Sequence, residues 1–525
     1  MAEIEPGRAC RFLIWPAPEG VGTPLTWGQD GLLTWAYFGA QRSAVSPSTY
    51  EFTGVGTLFA HDGRNGKMTV MGDRLGIQPI HYSQDQNGVW HVSTHLMWLL
   101  LTLGHDGTVN SSSFLAHMSF GYTGRPHDEL YSGVRKLPPA GRLVITMREV
   151  TQDVYWSPPM PCCKMEPGQL PVLAEALKAS MQSITAGDSL CLGLTAGKDS
   201  LCLASVIDEN VKPLTATFGI LNCADQQQAE KISVELSWPH VFGTVCGPNE
   251  FSMWASYVAF HSAGLTTASY VDMAAFMGKL IPPGRTFVIG EGGECVRDFF
   301  RAGGRPPMET LQRDYMTSVE FLKRTLTPER AGQLGNYPHE MLACVRAGAK
   351  QSNDDAFANY FYRHQRMPGN FSLRHAVLST LRAKISPFLD SQFINHAYGL
   401  ELDWHTDSRL HRALIAQARP HLTNYFDSPI RTMQTVQEWP ARFSGEIGPV
   451  VYRLLKETLP FCEDVFQQEG TLALCKETIA RPSKAIYHLF RVLSFSLARQ
   501  ALRAETKKRL AEIPCVPIVK ATLLA

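Results

Sequence analysis

Ser189-Leu190-Cys191-Leu192 is an apolar run that leads directly into Gly193-Leu194-Thr195-Ala196-Gly197-Lys198-Asp199-Ser200. The pattern predicts a buried strand over 189–194, a glycine-bearing turn, and a helix from Leu201 to about Asp208. Such a turn aims backbone N–H groups and a helix N-terminus at one spot, which suits a phosphate or pyrophosphate. Asp199 sets a carboxylate at the same spot, and a carboxylate beside phosphates usually means Mg²⁺. The spacing is not of the Walker type, because Lys198 precedes the acid and no G-x-x-x-x-G-K-[ST] occurs.

The same strand–helix texture continues downstream. A helical period over Leu173 to Ile184 precedes the turn. Strand Leu214 to Phe218, a helical pattern from Asp225 to Leu236, and strand Thr286 to Ile289 follow it. This alternation predicts a parallel α/β sheet, whose ligands sit past the carboxyl ends of the strands. Three segments fall there: Thr195 to Ser200, Gly219 to Asp225, and Gly290 to Glu294. Residues 305 to 525 read mostly as helix. Residues 1 to about 155 read as strands instead. Thr57 to His61 and Met68 to Met71 flank a hairpin turn at Asp62 to Gly66; Val89 to Val92 follows, and Leu143 to Thr146 closes this half. His95 to Leu103 reads as a short buried helix, and the Pro- and Cys-rich stretch Ser157 to Pro167 as a linker.

With 525 residues the chain exceeds one ordinary core, so two domains are expected, 1–157 and 168–525. A net charge of +1 gives no strong pull toward nucleic acid or an anionic membrane. No apolar stretch approaches the length of a membrane span, and Met1 to Arg11 lacks a signal-type core. The 12 cysteines show no C-x-x-C and no zinc spacing, which fits reduced thiols in a cytoplasmic protein. H-E-x-x-H and G-x-S-x-G are absent, so neither a zinc protease nor a typical serine hydrolase is indicated.

The turn at 195–200 resembles the pyrophosphate loop of the ATP-pyrophosphatase family, S-G-G-x-D-S, with Thr195 for the Ser and Ala196 for the first Gly. Over most of its length the chain resembles the asparagine synthetase family. The first half is similar at Gly72-Asp73-Arg74-Leu75-Gly76-Ile77-Gln78-Pro79-Ile80-His81-Tyr82 and at Tyr131-Ser132-Gly133-Val134-Arg135-Lys136-Leu137-Pro138-Pro139-Ala140-Gly141. The second half is similar at the turn, at Gly290-Glu291-Gly292-Gly293-Glu294, and at Ser386-Pro387-Phe388-Leu389-Asp390. The resemblance implies an α/β protein: a β-rich, Ntn-amidotransferase-like first domain and a parallel-sheet ATP-pyrophosphatase second domain. Glutamine-dependent members carry Cys after the initiator Met. Here Ala2 and Glu3 follow Met1, and Cys10 is internal. The expectation is a first domain that kept its fold and lost its glutaminase, as in β-lactam synthetases, carbapenam synthetases and lasso-peptide cyclases.

The resemblance further implies ATP and Mg²⁺. Leu194, Thr195, Ala196, Gly197, Lys198, Asp199 and Ser200 would hold pyrophosphate, Thr217 and Phe218 would line the adenine side, and Gly290 and Gly292 would complete the nucleotide site. Asp199 is the metal-ligand candidate. Glu294, where the family usually has Asp, is the second. Lys198 reads equally as a phosphate contact or an exposed lysine, Asp225 as a site residue or a helix cap. Glu291 holds the family position associated with deprotonating the amine. Glu401 falls where β-lactam enzymes place the Glu partner of a Tyr, and it also reads as an ordinary helix-end carboxylate. The family lysine some forty residues past Pro387–Asp390 is missing, leaving Arg431, or distantly Lys484, to supply positive charge. His364 and His375 read as surface or core histidines before acceptor-pocket residues. Ala501 to Ile513 reads as an amphipathic helix with a solvated face.

The expected activity is AMP- and PPi-forming amide synthesis on a small-molecule or peptide carboxylate, closed by an amine of the same substrate to a lactam or macrolactam in natural-product biosynthesis. Intermolecular amidation with ammonia or a small amine is the alternative, and an inactive nucleotide-binding scaffold the third reading. A pathway partner protein or leader peptide and a homodimer are compatible with the resemblance. Nucleic acid and membrane are not expected partners.

Overall fold

The computed structural model describes residues 10–13, 25–30, 33–39, 54–123, 128–146, 149–159, 163–166, 168–185, 189–297, 299, 307–334, 342–343, 346–347, 354–426 and 438–505. Among the described residues the first half holds ten strands: β1 (Cys10–Leu13), β2 (Leu25–Asp30), β3 (Leu33–Gly39), β4 (Gly56–Asp62), β5 (Lys67–Gly72), β6 (His81–Gln84), β7 (Trp90–Ser93), β8 (Arg135–Lys136), β9 (Gly141–Ile145) and β10 (Val150–Val154). They form two sheets, ordered β1-β7-β6-β8 and β10-β9-β5-β4-β3-β2. Phe59, Val70 and Leu143 of the larger sheet pack with Tyr82 and Val92 of the smaller one, so a small apolar core lies between them. The hairpin at Asp62 to Gly66 forms as its turn residues dictate, with the Gly66 N–H bonded to Asp62 C=O at 2.9 Å and Gly66 at φ +65°. β10 lies beyond the point where this half was expected to close. Residues 151–154 are exposed, so no apolar alternation announced it.

Five more strands make a parallel sheet: β11 (Ser189–Gly193), β12 (Leu214–Gly219), β13 (His240–Thr244), β14 (Arg285–Val288) and β15 (Lys384–Ile385), in the order β13-β12-β11-β14-β15. The chain winds outward from β11 to β13 and then crosses back to β14, which places a topological switch point between β11 and β14. Cys191 and Phe287 face one apolar cluster, Leu190, Leu192 and Val288 the other. Strands buried on both faces read as continuous apolar runs, which is why β11 was visible in the sequence. β15 has two residues and β13 only half-buried apolar ones, and neither was expected.

The two halves do not keep separate cores. Leu99, Phe114 and Tyr131 from the first half pack with Phe490 and Phe495 of helix Ala485–Glu505. Helices Leu96–Thr102 and Ser111–Phe120 present apolar faces that the β-rich half cannot cover, and the C-terminal helices cover them. Polar bonds cross as well. Buried Lys136 donates to Pro368 C=O at 2.8 Å and Ser372 Oγ at 3.0 Å, and Arg74 donates to Asn395 Oδ1 at 2.7 Å. The 157–167 stretch is pinned where described, since Cys163 exchanges hydrogen bonds with Gly399 and Glu401 across the chain. No helix among the described residues is long and apolar enough to cross a membrane.

Candidate active site

The turn after β11 is held by its own polar side chains. Ser200 Oγ accepts from Thr195 N–H at 3.2 Å and donates to Gly197 C=O at 3.0 Å, and Thr195 Oγ1 accepts from Gly197 N–H at 3.0 Å. Asp225 reaches over from the segment after β12, its Oδ1 accepting from Ala196 N–H at 2.9 Å. Three turn N–H groups therefore already have partners. The helix begins at Lys198, three residues earlier than the apolar pattern indicated, so Lys198 and Asp199 stand in its first turn. Its first-turn N–H groups have no intrahelical acceptor and are the donors left for an anion. Leu194 extends the sheet, donating to Ala216 C=O at 3.0 Å, and Thr217 Oγ1 bonds Leu194 C=O. The Phe218 ring packs on Phe276 at 5.2 Å. Packing accounts for the side chains of these three residues.

Asp199 is the centre of the site. Its Oδ2 accepts from Arg297 Nη2 at 3.0 Å, and His411 Nε2, fully buried on helix Arg409–Ala418, lies 2.9 Å from Oδ1. Burial works to raise the Asp199 pKa, but Arg297 and His411 override it and hold the carboxyl below its ordinary range. The loop after β14 presses against the same side chain. A Cβ at Gly290 would sit 2.6 Å from Asp199 Cβ, and one at Gly293 2.5 Å from Asp199 Oδ1. Gly292, at φ +90°, turns the backbone under Leu389. Gly290 and Gly292, expected at the nucleotide, thus have packing roles in closing the loop. Glu294 accepts from Gly292 N–H at 3.0 Å, and burial, reinforced by the charge of Asp199, pushes its carboxyl up to about 7.

Glu291 faces a lysine that sequence reading missed. Lys384 Nζ, on β15, donates to Glu291 Oε2 at 2.5 Å, and Ser386 Oγ bonds Glu291 C=O. Burial lowers the Lys384 pKa, opposed by the Glu291 charge. Arg374 Nη1 stands 3.9 Å from Glu291 Oε1. Arg297, Lys384, Arg374 and His411 come from four separate segments; the only local signal was Lys384, a charged residue just ahead of Ser386–Asp390.

The other expected residues are placed elsewhere. Lys198 Nζ reaches Ser408 Oγ at 3.4 Å and lies 4.6 Å from the Phe426 ring centroid. Glu401 sits at the start of a short 3₁₀ turn, its N–H bonded to Cys163 C=O, and among the described residues no contact joins its carboxylate to Glu291 or Asp199. Arg431 lies outside the described residues. Lys484 is exposed just ahead of the last helix. His364 stacks on Tyr360 at 4.0 Å, and His375 is buried; burial lowers both pKa values, that of His364 to about 4. The last helix spans Ala485–Glu505, and 506–513 lie outside the described residues.

The donors present fit a magnesium–nucleotide pair. Asp199 Oδ1 is buried with His411 Nε2 2.9 Å away, and burial together with the Asp199 charge raises the Glu294 carboxyl to about 7, an electrostatic cost that a cation between the two acids would relieve. Among the described residues no three acidic, His or Cys side chains converge, so the remaining ligands would be phosphate oxygens and water, as is usual for Mg²⁺. The switch point between β11 and β14 is where an open parallel sheet accepts ligands.

A family model of the glutamine amidotransferase domain matches residues 46–156, which include both first-half stretches given above. The match fits an asparagine synthetase-like first domain and suggests an enzyme. No curated protein matches the chain.

Proposed function

We propose that the chain is an ATP-dependent amide-forming ligase that adenylates a substrate carboxylate and closes it with an amine of the same substrate. The observation that carries this reading is the convergence of the 195–200 turn, the Asp199–Glu294 pair and the Glu291–Lys384 pair at one sheet switch point. A carboxylate is a poor acyl donor. In the proposed reaction its oxygen attacks the α-phosphorus of ATP, pyrophosphate leaves, and AMP becomes the leaving group of the mixed anhydride. First-turn N–H groups of helix Lys198–Val206 would bind the departing pyrophosphate. Mg²⁺, held by Asp199 and Glu294, would neutralise phosphate charge. The substrate ammonium must then lose a proton before its nitrogen attacks the acyl carbon. Glu291 would accept that proton, with Lys384 balancing its charge.

The sequence supports an amine supplied by the substrate, since no cysteine lies between Cys10 and Cys162, and Cys10, the first residue of β1, is joined to Ala9 by a peptide bond and has no free amine. Glu291 favours the second reading, attack by free ammonia or a small amine. The turn N–H groups already bonded within the chain, with Arg297 on Asp199, favour a third, a nucleotide-binding scaffold without turnover. Pyrophosphate release from Mg-ATP, measured against amino-carboxylates and candidate peptides with Asp199→Asn as control, tests the proposal. Substrate-dependent release that the variant abolishes is expected, with a product lighter than the substrate by one water. A product that has gained the amine selects the second reading. ATP binding with no release across the panel selects the third.

A further inference from the structure

Asp199, the first metal-ligand candidate, already faces a cation of the chain itself. Arg297 Nη2 donates to Asp199 Oδ2 at 3.0 Å, and His411 Nε2 stands 2.9 Å from Oδ1, so both carboxylate oxygens have a neighbour. Arg297 directly follows the short turn Gly293–Val296, which carries Glu294, and its backbone N–H donates to Glu294 C=O at 3.4 Å. The competing cation and the second metal-ligand candidate therefore sit on one backbone segment. The Arg297 side chain is 33 % exposed, against 14 % for Asp199, and its Nε is buried without a hydrogen bond among the described residues. The guanidinium thus has solvent to move into and a donor still unused. A dication on Asp199 would stand beside this guanidinium, and like charges repel strongly in a low-dielectric site. Once parted from Asp199, a largely buried cation is costly until another anion takes it, and a planar guanidinium suits a phosphate.

We propose that Arg297 is a built-in competitor for the divalent cation at Asp199, displaced when phosphates arrive with that cation and receive the arginine. The bare cation is held off, and the cation–nucleotide pair is admitted. This rests on the magnesium–nucleotide reading of Asp199 and not on the ligase chemistry, since neither a carboxylate nor an amine substrate enters it.

Two titrations of the full chain test this: Mn²⁺ alone, followed by its electron paramagnetic resonance signal, and preformed Mg-ATP, followed by calorimetry. Arg297→Gln is expected to tighten Mn²⁺ at least tenfold and to weaken Mg-ATP at least threefold. The opposite signs separate the proposal from a merely structural role, because damage to the fold weakens both. Arg297→Lys keeps the charge and should bind Mn²⁺ within threefold of the wild type. Asp199→Asn should lose Mg-ATP, and adding it to Arg297→Gln should abolish the gain in Mn²⁺ binding. An Asp199→Asn protein that binds both ligands as the wild type does would overturn the reading of Asp199 and the proposal with it. With Asp199→Asn behaving as expected, an Arg297→Gln protein that binds Mn²⁺ no tighter, or that shifts both ligands in the same direction, would overturn the proposal alone. Should the glutamine variant not fold, the lysine variant decides: Mn²⁺ bound tenfold tighter despite the retained charge would overturn it.

Discussion

Lys384 on the edge strand β15 and Glu291 in the loop after β14 form a buried ion pair, with Lys384 2 % and Glu291 11 % exposed. The pair ties the loop that carries Gly290 to Glu294 to the outermost strand of the parallel sheet. Its members lie 93 positions apart in the chain.

Removing one member strands the other. Lys384→Met is expected to cost about 3–5 kcal/mol, because it leaves the Glu291 carboxylate without its hydrogen-bonded cation, Arg374 standing 3.9 Å away. The double variant Lys384→Met/Glu291→Gln should recover much of that loss. Urea unfolding of the two single variants and the double variant gives the coupling.

The raised Glu294 pKa has a definite sign in stability. A carboxyl whose folded value, about 7, exceeds its unfolded value near 4.5 binds its proton more tightly when folded. Its contribution is present below pH 4.5 and is lost as pH rises toward 7. Glu294→Gln removes that loss, so the variant should gain on the wild type across this window, by up to about 3 kcal/mol. Asp199 acts in the opposite sense and only below its unfolded value of 3.8, outside the window. Melting temperatures from pH 4.5 to 8 test this. A constant offset between the two proteins would refute it.

Gly293→Ala drives a methyl group into the Asp199 carboxylate, 2.5 Å from Oδ1 and 2.7 Å from Cγ. Overpacking here should cost roughly 1–3 kcal/mol and displace the acid, lowering Mg-ATP-dependent pyrophosphate release with it. Gly332→Ala, exposed and with nothing within 4 Å of the added Cβ, serves as the control expected not to destabilise.

Lys136→Met cuts the buried bonds from the β-rich half to Pro368 and Ser372. A loss of about 1–3 kcal/mol is expected, from the charge-assisted bonds themselves, since the Pro368 carbonyl keeps the Ser372 hydroxyl as a donor. Chemical unfolding of the variant beside the wild type measures it.

The sequence by itself determined the elements that carry a local signature. Strand β11 is an uninterrupted apolar run because both its faces are buried. The turn at 195–200 is readable because only glycine and short polar residues suit it. The hairpin at 62–66 was visible for the same reason. Asp199, Glu291 and Glu294 were legible as acids at strand ends. Tertiary structure alone decided what those acids touch. Arg297, His411, Lys384 and Arg374 reach them from separate segments, and no periodicity encodes a contact between residues tens to hundreds of positions apart. The merging of the two halves was also beyond the sequence pattern. An apolar helix face such as that of Leu96–Thr102 states that it must be covered and leaves open what covers it; here helix Ala485–Glu505 does, because burying both faces removes apolar surface from water at once.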